Sequence, residues 1–338
     1  WARAASLAPG LANLAVRTPG LRGLARAAVR MAPERQFPTV APRTFTSWFR
    51  RRGTRIRGGP EVILWPDTFN NRFHPEIAAA AVDVLEDAGY RVVVPRTFLC
   101  CGRPLYDFGM LDVAEHQLRR VIEALRPQIR AGTPIVGLEP SCVSVFRDEL
   151  HELFPNDPDA QRLRAQAMTL AEFLVREARG YEPPRLHARA IVHGHCHHKA
   201  IMRLDAEEQL LPRIGLDFRI LDSGCCGMAG SFGFERDKYD VSIGAGERVL
   251  LPAVRAAGQD TIIIADGFSC REQIRQTTDR RALHLAQVLR MALESDRLPA
   301  GRTPESYAHA LAPRELVELP SPSAYTVAAL GAGLAVGG

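Results

Sequence analysis

Seven cysteines carry the chemistry legible in this chain: Cys100, Cys101, Cys142, Cys196, Cys225, Cys226 and Cys270. Their number is odd and they include two adjacent pairs, which suits a disulfide framework poorly in a chain of 338 residues and suits metal binding in a reducing compartment better. Cys196, Cys225, Cys226 and Cys270 are separated by 29, 1 and 44 residues. Thiolates are soft, strongly donating ligands, and four of them brought together fit an iron-sulfur cluster or zinc. Structural zinc usually uses close C-x2-4-C pairs whose short loops wrap one ion. Adjacent Cys225 and Cys226 would strain to chelate one small ion, yet they can reach different irons of a larger cluster.

Gly224, Gly227 and Gly230 let the backbone approach a bulky inorganic core and leave amide N–H groups free for sulfide. The competing reading of Gly-Cys-Cys-Gly is a tight turn with inert thiols. Four of the ten histidines, His193, His195, His197 and His198, surround Cys196. His195 and His197 are the cofactor-binding candidates, as a ligand or as a hydrogen-bond donor to cluster sulfur, and core packing is the rival role for each. Lys199 and Arg271 stand beside two of the cysteines and can balance cluster charge, although exposed charges at helix starts are common.

The elements that must position these residues form an internal repeat. Residues 61–66 read as a buried strand, 75–88 as a helix and 91–94 as a strand leading to Cys100 and Cys101. A helix over 113–130 and a strand over 135–138 then deliver Cys142 at the start of another helix. The second half runs strand 190–192, helix 206–214, strand 218–221, Cys225 and Cys226, helix 241–257, strand 261–264 and Cys270. The cysteine pair recurs at an offset of 125 residues and the last cysteine at 128. Strands alternating with helices imply α/β architecture, two tandem pseudo-repeated modules that each hold a small parallel sheet with flanking helices. Loops beyond the carboxyl ends of such strands build sites. Cys196, the Cys225–Cys226 pair and Cys270 each follow a predicted strand, so the topology alone gathers four thiols at one sheet edge.

Composition bounds the rest. The net charge of +5 is not spread over the chain: residues 1–60 hold twelve arginines and one acidic residue, Glu34, and the remainder carries −6. A broad basic binding face is therefore absent from the folded part, and nucleic acid is excluded as a partner. Residues 1–58 read as a basic, solvated arm from an upstream domain. Leu11, Leu14, Leu21 and Leu24 recur at roughly helical spacing within it, which makes an organellar presequence or a membrane-surface helix the alternatives. The first residue is Trp1, and residues 1–30 lack the layout of a signal peptide, so the sequence reads as a piece of something longer. No apolar run reaches about 18 residues, the length that a spanning helix needs. Residues 324–338 are apolar and Gly-rich and read as a frayed end.

Gly-Cys-Cys-Gly-Met-Ala-Gly at 224–230, Gly-His-Cys-His-His-Lys-Ala at 194–200 and Gly-Phe-Ser-Cys-Arg at 267–271 resemble the CCG cysteine-rich family. That family includes the cysteine-rich component of heterodisulfide reductase and the iron-sulfur subunits of glycolate oxidase, anaerobic glycerol-3-phosphate dehydrogenase and lactate-utilisation complexes. Over roughly residues 40–300 the chain is most similar to the C-terminal part of large FAD- and iron-sulfur-containing D-lactate and D-2-hydroxyglutarate dehydrogenases. The resemblance implies a [4Fe-4S] cluster on Cys196, Cys225, Cys226 and Cys270, with FAD only in an upstream part. Electrons would pass from flavin through ferredoxin-type clusters to a quinone or redox-protein acceptor, on the cytoplasmic face of a membrane or in the cytoplasm. This sequence itself holds neither a ferredoxin-type C-x2-C-x2-C-x3-C-P run nor a flavin motif.

The first module departs from the family pattern. Asp67 stands where the second module has Cys196, an offset of 129, so its set falls to Cys100, Cys101 and Cys142 with Asp67 as a harder donor. Where the family often has a further cysteine, three residues before the last one, this chain has Glu139 and Gly267. The expected organisation is therefore an arm over 1–58, a degenerate module over 59–182, a complete module over 186–298 and a tail over 299–338. The chain is expected to be catalytically incomplete by itself. Two rivals remain: zinc holding the same thiols in a non-redox interaction module, and a heterodisulfide-reductase-like thiol-disulfide component, disfavoured because a vicinal pair makes a strained disulfide.

Overall fold

The computed structural model describes residues 2–318. The expectation for residues 324–338 lies outside them, as do Trp1 and the last part of the tail.

Two small parallel sheets carry the repeat. The first contains β1 (Glu61–Trp65), β2 (Arg91–Val93), β3 (Ile135–Gly137) and β4 (Ala167–Met168) in the order β2-β1-β3-β4. The second contains β5 (Ala188–Val192), β6 (Leu216–Ile220) and β7 (Ile262–Ile264) in the order β6-β5-β7. In each sheet the first strand of the module is central, and the cysteine-bearing loops leave neighbouring strands in the same direction. The repeat also extends further than the sequence indicates. A parallel bridge joins Ile264 to Leu283, beside β7 as β4 lies beside β3, and each is followed by a helix opened by a capping box, Leu170–Arg176 and Leu285–Glu294.

Period-two alternation along β1 distributes the core. Val62 and Leu64 face one cluster, which also takes Val136, Ala190, Val192, Ile262 and Ile264, together with the helices Pro75–Asp87 and Leu285–Glu294. Ile63 and Trp65 face another cluster under the helix Leu111–Arg130. Ile191 and Ile263 face a third, with Leu250, Leu251 and Val254. Each sheet thus has an outer core of its own and an inner face in one core shared by both modules.

Two expectations change. The helix expected over 241–257 is two, Tyr239–Glu247 and Leu250–Ala256. Pro252 explains the break, because its ring would meet the carbonyl four residues back, at Arg248, and no helix runs through that point. The arm is also more than a solvated linker. Met31, Val40, Phe45, Trp48 and Phe49 are buried, and residue 31 forms a bridge with Glu235 of the second module while Ala41 N–H donates to Arg72 of the first. Arg35 is only 1% exposed and donates to Gly233 O at 2.7 Å and Ser242 Oγ at 3.0 Å. The excess of arginine hid an apolar strap that crosses both modules. Ahead of it, Leu11, Leu14, Leu21 and Leu24 remain exposed on short helices, as does Leu7 in the turn before them. Among the described residues no helix is long and apolar enough to cross a membrane.

Candidate metal centre

Three strand ends deliver the four thiols of the second module. Cys196 follows β5, Cys225 and Cys226 follow β6, and Cys270 is the third residue of the helix Phe268–Thr277 after β7. The sulfurs form a continuous series of contacts, Cys196 to Cys225, Cys225 to Cys226 and Cys226 to Cys270. Cys226 and Cys270 are buried, Cys196 is half-buried and Cys225 is exposed. The set therefore runs from the core to the surface.

Electrostatics favours the thiolate, the ligating form, at two of the four. Hydrogen bonds from Cys196 and Cys226 hold Cys225 down to about 2, and the Gly227 amide adds a donation to Cys225 Sγ at 3.3 Å. Cys270 is held well below the ordinary thiol range by a hydrogen bond from Cys226 and by His193 and His195. Their partners Cys196 and Cys226, which share those protons, are pushed up.

The histidines divide their work. His193, which stands near Cys196 in the sequence but is not one of the two cofactor-binding candidates, has a ring nitrogen grouped with Cys226 and Cys270 Sγ, all within 4.8 Å of one another. Ser223 Oγ, 2.7 Å from His193 Nδ1, orients it. His195 Nδ1 is 4.0 Å from Cys196 Sγ and accepts from the His197 amide at 3.3 Å. His197 is lowered to about 4, by burial first and then by the charges of Arg103 and His195, so its ring is neutral near pH 7. Arg103 Nη2 lies 3.2 Å from His197 Nε2.

Of the three glycines expected to serve the turn, Gly227 is the one sterically required. Its φ is +91°, and a Cβ there would lie 1.9 Å from Ser242 O. Gly230 also has positive φ, at +64°, in open space, whereas a Cβ at Gly224 would meet nothing within 4 Å. Lys199 Nζ donates to the carbonyl of Ser223 and ties down the loop before the pair. Arg271, weighed as a balance for cluster charge against an exposed helix-start charge, is buried and donates to the carbonyls of Ala265 and Asp266.

The first module places its three cysteines alike. Cys142 is again the third residue of a helix, Pro140–Arg147, and Cys101 Sγ donates to Cys142 Sγ at 3.1 Å. Its charge environment is opposite. Cys100 and Cys101 are pushed well up, Cys100 first by its hydrogen bond with Cys101. Cys142 reaches about 11, because the lowering bond from Cys101 is outweighed by burial and by the charges of Asp67 and Glu139.

Asp67 is occupied as a helix N-cap. Its Oδ1 accepts from the Phe69 and Asn70 amides, both at 2.9 Å, and its Oδ2 from Asn70 Nδ2 at 2.9 Å. Burial raises it to about 6, with Glu139 second. A carboxyl group raised above its unfolded value contributes most at low pH, and that contribution is lost as pH rises from about 4 through about 6. Asp67→Asn, which cannot ionise, should therefore gain on the parent by on the order of 3 kcal/mol between about pH 4 and pH 7 in thermal unfolding. A constant difference across that window would contradict the buried ionisation.

Glu139 and Gly267, where further cysteines were considered, have structural reasons. Glu139 accepts from Ser141 Oγ at 2.8 Å and from the Phe268 amide at 2.8 Å, so one carboxylate serves the starts of both helices that carry a last cysteine. A Cβ at Gly267 would lie 2.3 Å from His195 Cδ2. The modules meet edge to edge here, with Phe69 and Phe268 stacked at 4.2 Å and His284 Nε2 2.8 Å from Leu138 O.

Comparison with known proteins agrees with this architecture. Residues 67–147 match the CCG cysteine-rich domain, which spans the first module's three cysteines. One subunit of anaerobic glycerol-3-phosphate dehydrogenase from Escherichia coli is 28% identical over 289 residues, 84% of this chain and 72% of that protein. Lactate utilization protein A from Geobacillus kaustophilus is 31% identical over 181 residues, 51% of this chain and 74% of that protein. D-2-hydroxyglutarate dehydrogenase from Pseudomonas putida is 26% identical over 230 residues, 68% of this chain but only 22% of that larger protein. With its paired cysteines at matching strand ends and these alignments across most of its length, the chain belongs to the CCG cysteine-rich domain family.

Proposed function

We propose that this chain is the iron-sulfur electron-transfer portion of an FAD-linked D-2-hydroxyacid dehydrogenase, of the D-lactate or D-2-hydroxyglutarate type. The observation that carries this reading is the delivery of Cys196, Cys225, Cys226 and Cys270 by the ends of three adjacent parallel strands, with Cys226 and Cys270 Sγ within 4.8 Å of each other and of a His193 ring nitrogen. Four soft donors with a glycine-opened loop and an amide directed at sulfur fit a [4Fe-4S] cluster. Such a cluster supplies one-electron transfer. The protein's own residues would hold it, set its potential through His193, His195 and His197, and leave its Cys225 side open to a donor or acceptor.

The donor belongs to the same proposal: an upstream flavin and ferredoxin-type part, in the same polypeptide or complex, oxidises the hydroxy acid. The acceptor is a quinone or a redox protein. The exposed leucine row of the basic N-terminal helices supports peripheral contact with an anionic membrane surface on the cytoplasmic side. A second reading has one observation in its favour. The alignment with the glycerol-3-phosphate dehydrogenase component covers more of this chain than that with the hydroxyglutarate enzyme, 84% against 68%, which would make a glycerol phosphate the source of electrons.

Anaerobic reconstitution with iron and sulfide tests the proposal. The first module, whose thiols are pushed up by the Cys100–Cys101 hydrogen bond and by burial, with the charges of Asp67 and Glu139 adding to it, is the weaker site. About four irons per chain and a brown protein are expected, with no oxidation of D-lactate, D-2-hydroxyglutarate or glycolate by the chain alone. A colourless protein holding zinc would sink the redox reading. About eight irons would overturn the one-cluster reading.

A further inference from the structure

Behind the thiols, on the β5 side of the second module, lies a cavity of about 10 Å³, close to the space one water or one ion needs. Its lining includes His193, His198, Glu207 and Asp266. Glu207 comes from the helix Asp205–Ile214, His198 opens a π-helical turn over His198–Met202, and Asp266 follows β7. One donor atom from each of His198, Glu207 and Asp266 lies within 4.8 Å of the others.

The polar atoms here are unusually poorly served for their burial. Glu207 is 4% exposed, yet neither carboxylate oxygen meets a donor in hydrogen-bonding geometry, although His198 Nε2 stands 3.2 Å from Oε1. His193 also lines the cavity, but its free ring nitrogen faces Cys226 and Cys270 and belongs to the cysteine centre. The nearby cations are committed elsewhere: Lys199 to Ser223 O, and Arg271 to the carbonyls of Ala265 and Asp266. Asp266 Oδ1 accepts from the Leu285 amide at 2.8 Å, which fixes its orientation and leaves lone pairs over. His198 faces only Oε1 of Glu207, and a buried carboxylate oxygen left unserved, as Oε2 is, is costly unless it is paired or coordinates a metal.

We propose that His198, Glu207 and Asp266 form a second metal site, for a single divalent first-row cation, separate from the cysteine centre. One imidazole and two carboxylates are a hard to borderline donor set that suits Mn²⁺, Fe²⁺ or Zn²⁺ and would not hold an iron-sulfur cluster. Ligands of one such ion at about 2.0–2.2 Å stand roughly 3.5 Å apart, so small side-chain rotations close the set. The cation would neutralise buried Glu207 and half-buried Asp266 and pin the turn after Cys196 to the helix Asp205–Ile214.

Mn²⁺ is the probe, because its preference for oxygen and imidazole keeps it off the thiols. The full chain is titrated with Mn²⁺ and the free ion is followed by its electron paramagnetic resonance signal. One Mn²⁺ per chain is expected, with affinity falling at least about tenfold in Glu207→Gln. Asp266→Asn, which keeps the acceptor for Leu285 N–H, provides the second variant if the first unfolds, and circular dichroism reports folding. Iron content after reconstitution should be the same in both variants as in the parent, which separates this site from the cysteine centre. A folded parent that retains no Mn²⁺, or retention unchanged in the folded variants, overturns the proposal and leaves a buried His198–Glu207 pair.

Discussion

Cys226→Ser and Cys270→Ser should each cost the reconstituted protein most of its iron and its visible absorption, while Ser231→Ala, an exposed change on the same loop, leaves both unaltered. Both cysteines are buried, they touch each other, and Cys270 lies among groups that favour its thiolate. Substitutions one shell out from a metal typically cost 10- to 100-fold in affinity, so loss of a ligand should cost at least about 100-fold. A hydroxyl is a harder and far less acidic donor than a thiol, and it does not replace one. Iron retained at the parental level in either variant would remove that residue from the ligand set. Ser223→Ala is a different kind of test, since Ser223 Oγ holds His193. It should leave iron bound and alter the reduction potential.

Gly227→Ala should be the most damaging change of one methyl group in the described chain. It combines a φ of +91°, which side chains avoid, with a Cβ placed 1.9 Å from the Ser242 carbonyl. Relief by movement is blocked, because Ser242 is held by Arg35 through its hydroxyl and by Gln273 Nε2 through its carbonyl at 3.1 Å. Backbone strain plus a backbone overlap in a packed region belongs with substitutions costing about 3 kcal/mol or more. Urea unfolding should register that loss, and iron binding should fall with it. Gly224→Ala, in open space, is the matched comparison and should cost less than about 1 kcal/mol. Equal stability of the two variants would contradict the loop geometry.

The parts of this architecture that local patterning controls were legible in the sequence. Short apolar runs fixed the central strands to within two residues, and the recurrence of Cys100, Cys101 and Cys142 as Cys225, Cys226 and Cys270, at offsets of 125 and 128 residues, revealed the repeat. Because cysteines follow strand ends, parallel topology brings them together whatever the details of the helices. Contacts across long separations were not legible. Glu139 meets Phe268 across 129 residues and Arg103 meets His197 across 94, and no local signal marks either pairing. β4 has two residues and its counterpart at Leu283 is a single bridge, too short for any periodicity. Asp67 was visible as an odd residue at a cysteine position. In the structure it caps a helix, and all three of its bonds go to the Phe69 and Asn70 amides and the Asn70 side chain, a common role for Asp at a helix start. His193 could have been found, since it is the first residue beyond β5 on the edge where the thiols gather.

The core shared between the two sheets has a consequence for how such a chain can be divided or rearranged. A cut in the connection over residues 183–185 would separate two complete sets of strands and cysteines, yet would expose to water the faces formed by Val62, Leu64 and Val136 on one piece and Val192, Ile262 and Ile264 on the other. Apolar surface of that extent holds pieces together instead of letting each stand alone. The unit that was repeated is therefore not the unit that folds. Two separately produced halves should be insoluble singly and soluble when made in the same cell, and a halved chain would survive only by recruiting a copy of itself to the exposed face.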